Sequence, residues 1–196
     1  MDPLVALVVA TSILVIIPGP NVALIVANSL KYGLRMGLMT VLGTTAGVAL
    51  QLALVVGGMA AVVELAAEAL TWIRWAGVIY LIWLGIRTWR EAASDLAEVN
   101  AAPAMFWRGC MLATINPKTL LFNAAFLPQF VGDGPASQFV LVGAVFLAVI
   151  FLGDVAWALF AGSARALLTR YSSWRNKMTG VFLAAAGVGL ALSRHT

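Results

Sequence analysis

The stretch Ile17-Pro18-Gly19-Pro20-Asn21 interrupts an apolar run that reaches from Leu4 to Ala27. Each proline removes a backbone donor and clashes with the carbonyl group one turn before it, so no regular helix can continue through both. Inside a bilayer, the backbone groups that such a break frees need protein partners or a water-filled cavity. The sequence therefore predicts a helix that is broken within the membrane. Such a break is costly unless the protein uses it.

The composition indicates a membrane protein. Hydrophobic residues make up 62% of the 196 residues and charged residues only 10%, whereas a soluble domain has roughly 25% charged residues. At ~20 apolar residues per span, this length accommodates six transmembrane helices and no soluble domain. The net charge of +4 is a topology signal here and is no evidence for a nucleic-acid partner. We therefore expect an all-α polytopic membrane protein in contact with membrane lipid.

Six spans are predicted from the apolar stretches. They run at about residues 4–28, 37–63, 72–89, 107–131, 137–162 and 178–192. Span 1 is broken at Pro18-Gly19-Pro20 and span 4 at Asn116-Pro117-Lys118. The polar stretch 90–106 is interpreted as a surface linker in which Pro103 ends any helix.

Basic residues predict the orientation. Nine of them lie in the loops after spans 1, 3 and 5, and two lie on the opposite face, so the positive-inside rule assigns the nine to the cytoplasm. Both termini of a six-span protein then lie outside. If the broken first span re-enters the membrane instead of crossing it, five full spans remain and the N-terminus lies inside.

The chain divides into two similar halves, about 1–89 and 107–196, joined by the linker 90–106. Each half has three spans and begins with a proline-interrupted one, so the halves must have opposite orientations in the membrane. Many secondary transporters have this inverted-repeat arrangement, and their interrupted spans indicate the binding site. We predict a single transmembrane transporter domain of six helices in two inverted three-helix repeats, with both breaks near the bilayer middle.

Two charged residues, Lys118 and Asp154, lie deep in the predicted spans. A charge at that depth costs about 2.5–3.5 kcal/mol on insertion scales and usually marks a transport pathway. The functional interpretation is a proton-coupling carboxylate at Asp154 and a substrate-binding amine at Lys118. The alternative is an ion pair that only holds two helices together.

The other candidate binding residues lie at the breaks or on a polar face of span 2. A helix that restarts after a proline directs free N–H groups and a positive dipole end to the midplane, which suits a carboxylate. The predicted substrate site comprises Pro18, Gly19, Pro20, Asn21, Thr44, Gln51, Asn116, Pro117 and Lys118. Packing roles are predicted for Asn28, Asn123 and Gly43-x-x-x-Gly47, and Trp157 is the tryptophan that could line the cavity.

Several classes of protein lack their required residues in this sequence. It has no HExxH motif, no Walker A glycine loop and no paired aspartates, so we expect no catalytic residues, no metal and no cofactor. A thiol-transfer protein needs two facing cysteines, and Cys110 is the single cysteine. An ion gradient remains as the energy source.

The motifs resemble those of the LysE/RhtB-type amino-acid exporters, which are small bacterial inner-membrane proteins. The resemblance covers essentially the whole chain. It rests on Pro18-Gly19-Pro20-Asn21, the glycine-rich segments 33–37 and 43–47, Asn116-Pro117-Lys118-Thr119, Phe126-Leu127-Pro128-Gln129-Phe130 and Asp154. It implies proton-driven efflux of amino acids or close derivatives, with functional roles for the Asn-Pro-Lys and Asp positions. It implies no individual substrate.

Two functions remain open at this stage. The first is a proton-coupled exporter of amino acids. The second is a passive pore or facilitator for small polar solutes, in which Lys118 and Asp154 form a structural pair. The sequence also leaves the oligomeric state open, and a homodimer is compatible with it.

Overall fold

The computed structural model describes three continuous segments and several single positions. These are residues 2–56, 101–131 and 136–168, with 75, 79, 82–83, 86, 177, 179–185 and 187–188. The described residues form helices and short connections, and none of them is in a β-strand. Predicted span 3 lies outside the described residues except for five helical positions, and span 6 is described only in part.

The first predicted span consists of two helices, α1 (Pro3–Ile16) and α2 (Pro20–Tyr32). Their axes differ by 56° at the break, so the predicted interruption at 17–21 is confirmed. α2 can start at Pro20 because the first position of a helix needs no backbone donor.

The two helices of this pair have different surroundings. In α1 only Leu7, Thr11 and Val15 are buried, whereas all eleven residues from Pro20 to Leu30 are buried. α2 is therefore an interior helix, and α1 lies at the periphery with large apolar side chains such as Val5, Ile13 and Ile16 exposed.

Gly33 joins α2 to α3 (Leu34–Val56) with a φ of 95°. This left-handed conformation strongly favours glycine. α3 then packs closely against α4 (Ala101–Thr114). A Cβ atom at Gly43 would lie 2.0 Å from the carbonyl oxygen of Phe106, so the packing role predicted for the small residues of α3 is confirmed.

The start of α4 corrects the linker prediction. Pro103 is the third residue of this helix, and a proline in the first turn is tolerated because no intrahelical donor is needed there. The expectation that Pro103 ends any helix is therefore wrong, because described helical residues lie on both sides of it.

The fourth predicted span is also interrupted. α4 ends at Thr114 and α5 (Pro117–Leu121) begins at the next proline, which confirms the break at 116–118. A π-helical turn (Phe122–Phe126) and α6 (Leu127–Val131) follow. The sequence did not predict the π-helical turn, which ends two residues before Pro128 of α6.

α7 (Ala136–Leu168) is the longest described helix, with 33 residues, and it packs against α1, α2 and α3. Within the described part of the chain, α3 and α7 are each long and apolar enough to cross a membrane. The bent pair α1–α2 is a third candidate span. The structure is therefore all-helical, with apolar helices suited to a bilayer.

The contact between α3 and α4 can be tested with a pair of glycine substitutions. We expect Gly43→Ala to destabilise the protein by about 1–3 kcal/mol, because the added methyl group overpacks a backbone contact. Gly143 is a matched control on α7, since a Cβ there would lie an ordinary 3.8 Å from Leu52 Cδ1. Thermal unfolding of the purified variants in detergent measures both, and equal unfolding temperatures would contradict the close contact.

Candidate functional site

The two helix breaks meet in the folded protein. The Asn116 side-chain amide donates a 2.8 Å hydrogen bond to the side-chain oxygen of Asn21. Both residues are buried. Asn116 is also the N-cap of α5, because its side-chain oxygen accepts a 3.1 Å hydrogen bond from the backbone N–H of Lys118. One asparagine therefore caps the second break and connects it to the first.

Lys118 compensates the first break. In an unbroken helix the Leu14 carbonyl would accept from the residue at position 18, but Pro18 has no N–H to donate. The Lys118 ammonium donates to this carbonyl and also to the carbonyl of Ile17. The last turn of a helix carries the negative end of its dipole, which attracts a cation. We call the two carbonyl groups the carbonyl cradle.

Trp157 satisfies a further carbonyl group of the same helix end. Its indole Nε1 donates a 3.1 Å hydrogen bond to the carbonyl of Val15. The indole also lines an apolar pocket of about 420 Å³ between α1 and α7, together with Val15, Ile16, Gly153, Ala156 and Phe160. Trp157 therefore lines a cavity, and it also supports the break.

Gln51 has the corresponding role at the second break. Pro117 cannot donate to the Ala113 carbonyl, which instead accepts a 3.1 Å hydrogen bond from the Asn116 N–H. The Gln51 amide also donates to that carbonyl, at 2.8 Å, and to the Thr114 carbonyl at 3.0 Å. Its oxygen accepts a 3.1 Å hydrogen bond from Asn123. Gln51 is only 1% exposed, and both its amide nitrogen and its amide oxygen form hydrogen bonds within the protein.

Asp154 and Lys118 have different hydrogen-bond partners. Asp154 is 3% exposed, and one carboxylate oxygen is 3.2 Å from the Thr44 hydroxyl. In the described residues no ion pair joins Asp154 to Lys118, whose ammonium is held by the carbonyl cradle. The two charges are nevertheless close enough for a Coulomb attraction. The direct structural pair considered from the sequence is therefore absent.

The packing roles predicted for two asparagines agree with the structure. The Asn28 amide donates a 2.8 Å hydrogen bond to the Thr40 hydroxyl and joins α2 to α3. The bond from Asn123 to Gln51 joins the π-helical turn to α3. Within the described segments, no group of three His, Cys, Asp or Glu residues could hold a metal ion.

Sequence reasoning placed Gln51, Lys118 and Trp157 at the site but did not identify their bonds to broken-helix carbonyls. A signal was present, because each proline in a span leaves the carbonyl four residues earlier unpaired. In a bilayer, a donor must then come from a neighbouring helix.

Comparison with known proteins identifies the family. The model of the LysE type translocator family matches residues 12–194, and the chain belongs to this family. A protein described as an uncharacterized membrane protein from Vibrio cholerae is 30% identical over 189 residues, which is 90% of each chain. A homoserine/homoserine lactone efflux protein from Salmonella typhimurium is 27% identical over 198 residues, covering 97% of this chain and 96% of that protein.

A leucine efflux protein from Klebsiella pneumoniae is 29% identical over 174 residues, covering 84% of this chain and 80% of that protein. No solved structure matches the chain at a comparable level of significance. The resemblance inferred from the motifs is therefore confirmed. The protein is a bacterial membrane protein of a transporter family, and it is not an enzyme.

The role of Gln51 can be tested by removing its amide. We expect Gln51→Leu to destabilise the protein by about 1–3 kcal/mol, because the Thr114 carbonyl loses this donor and the buried Ala113 carbonyl keeps only the Asn116 N–H. Gln129 is the control, since its amide donates to one carbonyl, that of Ala125, at an exposed position. Its replacement by leucine should change stability by less than about 0.5 kcal/mol. Thermal unfolding in detergent gives both values, and similar losses for the two variants would exclude the proposed role.

Proposed function

We propose that the protein is a secondary active transporter that exports amino acids or close derivatives from the cytoplasm, driven by the proton motive force. The observation that carries the proposal is the meeting of two broken helices beside a buried carboxylate that has no direct ion-pair partner among the described residues. Two relatives are named for efflux of homoserine, homoserine lactone and leucine. These compounds share an α-ammonium group, and the lactone has no free carboxylate.

The proposed architecture is six helices in two inverted three-helix repeats. Reciprocal compensation of the breaks supports it. Gln51 of the first half donates to carbonyls at the second break, whereas Lys118 and Trp157 of the second half donate to carbonyls at the first. The proposed location is the bacterial inner membrane with both termini outside, because the basic residues then lie in the cytoplasm.

The proposed substrate site consists of the residues at the two breaks. No side chain caps the N-terminus of α2 at Gly19, so the positive end of that helix is available to an anionic group. Asn21 and Asn116 bring the breaks together. Among the other proposed residues, Gln51 maintains the shape of the second break, and Thr44 connects the site to Asp154.

Asp154 is proposed to couple transport to protons. The Thr44 hydroxyl lies 3.2 Å from the carboxylate and 3.0 Å from the carbonyl of Val41. A hydroxyl has one proton to donate and can also accept. It can donate to a charged Asp154, or accept from a protonated Asp154 while donating to Val41. Asp154 therefore has a hydrogen-bond partner in both states, and proton uptake removes its charge from the membrane interior.

Transport into inverted membrane vesicles tests the function. In such vesicles the cytoplasmic face is outside, so export appears as uptake. For a panel of radiolabelled amino acids, we expect at least one to accumulate above its external concentration when the lumen is acidified, and a protonophore should abolish this accumulation. A passive pore would only equilibrate the solute, and that result would overturn the proposal.

Asp154→Asn tests the coupling residue. We expect loss of proton-driven accumulation with normal folding, because the amide preserves the shape of the side chain but cannot exchange a proton. Asp2→Asn is a matched control, since Asp2 is an exposed N-cap that accepts a hydrogen bond from Leu4 and asparagine caps equally well. Full proton-driven accumulation by the Asp154 variant would exclude the coupling role.

Asn116→Asp separates the two bonds of Asn116. Aspartate can still cap α5, but it cannot donate to Asn21. We expect accumulation per folded protein to fall about tenfold, the equivalent of ~1.4 kcal/mol. Asn28→Asp removes an inter-helix bond elsewhere on α2 and should affect stability without this loss. If both variants transport equally, the bridge between the breaks has no role in transport.

A further inference from the structure

We propose that the carbonyl cradle, formed by the Leu14 and Ile17 carbonyls at the end of α1, binds the primary ammonium group of the transported substrate. When no substrate is bound, the side-chain ammonium of Lys118 occupies the cradle in place of the substrate ammonium. This inference rests on the proposed function and specifies how the substrate is held.

The cradle has the chemistry of an ammonium site. Two carbonyl oxygens from the last turn of α1 and from the break converge on a single nitrogen atom, the Nζ of Lys118. The missing N–H of Pro18 frees the first carbonyl. The second would accept from position 21 in a continuous helix, but α2 begins at Pro20. An ammonium group has three donors and a compact charge, so it can satisfy both oxygens and the negative helix end at once.

The present occupant can be exchanged. Lysine has a flexible four-carbon stem, so its ammonium can leave without movement of the backbone. The stem passes Gly19, where an added Cβ would lie 3.1 Å from Lys118 Cδ, and the absence of a side chain there provides its path. Ile17 is 57% exposed, so the cradle lies near the surface of the protein and not deep in its core.

The other side of the same break carries the positive end of a helix dipole. The uncapped N-terminus of α2 follows the cradle after Pro18 and Gly19. An α-amino acid has its ammonium and carboxylate on one carbon atom, and this break offers carbonyls and N–H groups in the same order. When the substrate ammonium enters the cradle, the displaced Lys118 gains the substrate carboxylate as its partner. No charge is then left unpaired in the membrane, which would otherwise be costly.

Removal of the Lys118 side chain tests the cradle without any transport assay. We would purify Lys118→Ala and measure its thermal unfolding during titration with ethylammonium, tetramethylammonium or sodium chloride. Ethylammonium should raise the unfolding temperature saturably by about 2–6 °C, because it fills the vacated cradle. Tetramethylammonium has no N–H donor and should match sodium.

The controls are the native protein, whose cradle is occupied, and Lys177→Ala, which removes an exposed lysine. Neither should respond to ethylammonium. Equal responses of Lys118→Ala to all three salts, or the same response in the native protein, would overturn the inference. If Lys118→Ala folds only in the presence of ethylammonium, that dependence supports the cradle. If it folds in no salt, the competition experiment with the native protein decides the inference.

Competition with the native protein adds a second readout. In the vesicle assay, the methyl ester of an exported amino acid keeps the ammonium and should compete, whereas its N-acetyl derivative should not. Competition by the N-acetyl derivative would overturn the inference while leaving export itself intact. A saturable ethylammonium response without proton-driven export would instead overturn the proposed function and leave the cradle as a cation site.

Discussion

The structure depends on one constraint: carbonyl groups freed by a proline within a membrane helix need a donor from elsewhere in the protein. Pro18 and Pro117 each create such a carbonyl. The side chains that satisfy them come from other helices, Lys118 for the first break and Gln51 for the second. The breaks are therefore not independent local defects. Each break contributes to the contacts between helices, so a substitution at one break should also alter the structure of the other.

Close helix packing allows side chains of one helix to reach the carbonyl groups at the break of another. Gln51 can reach the end of α4 because α3 and α4 approach through glycines, with a Cβ at Gly47 placed 2.4 Å from the carbonyl of Cys110. α2 lies in the interior, where its asparagines find partners on neighbouring helices. Small residues and buried amides thus act together, as is usual for helices in a membrane.

The same arrangement suits a transporter because its bonds can exchange partners. The lysine ammonium is held by backbone oxygens and not by a carboxylate, so a ligand that carries an ammonium group competes for an equivalent site. Asp154 is held by a hydroxyl that can serve either protonation state. In the proposed function, substrate and proton have separate partners in neighbouring places, which is what coupling between them requires. Membership of the LysE type translocator family agrees with the transporter class.

The sequence by itself determined the all-helical membrane class, the positions of both breaks and the family resemblance. Each of these follows from local covalent geometry, from composition or from motifs along the chain. Only the tertiary structure decided that Lys118 binds carbonyls instead of Asp154 and that Gln51 supports a distant helix end. It also corrected the role of Pro103 and added the π-helical turn. The physical reason is that a proline that interrupts a helical span takes away the donor of the carbonyl four residues earlier, whereas the identity of the replacement donor depends on which helices fold against one another.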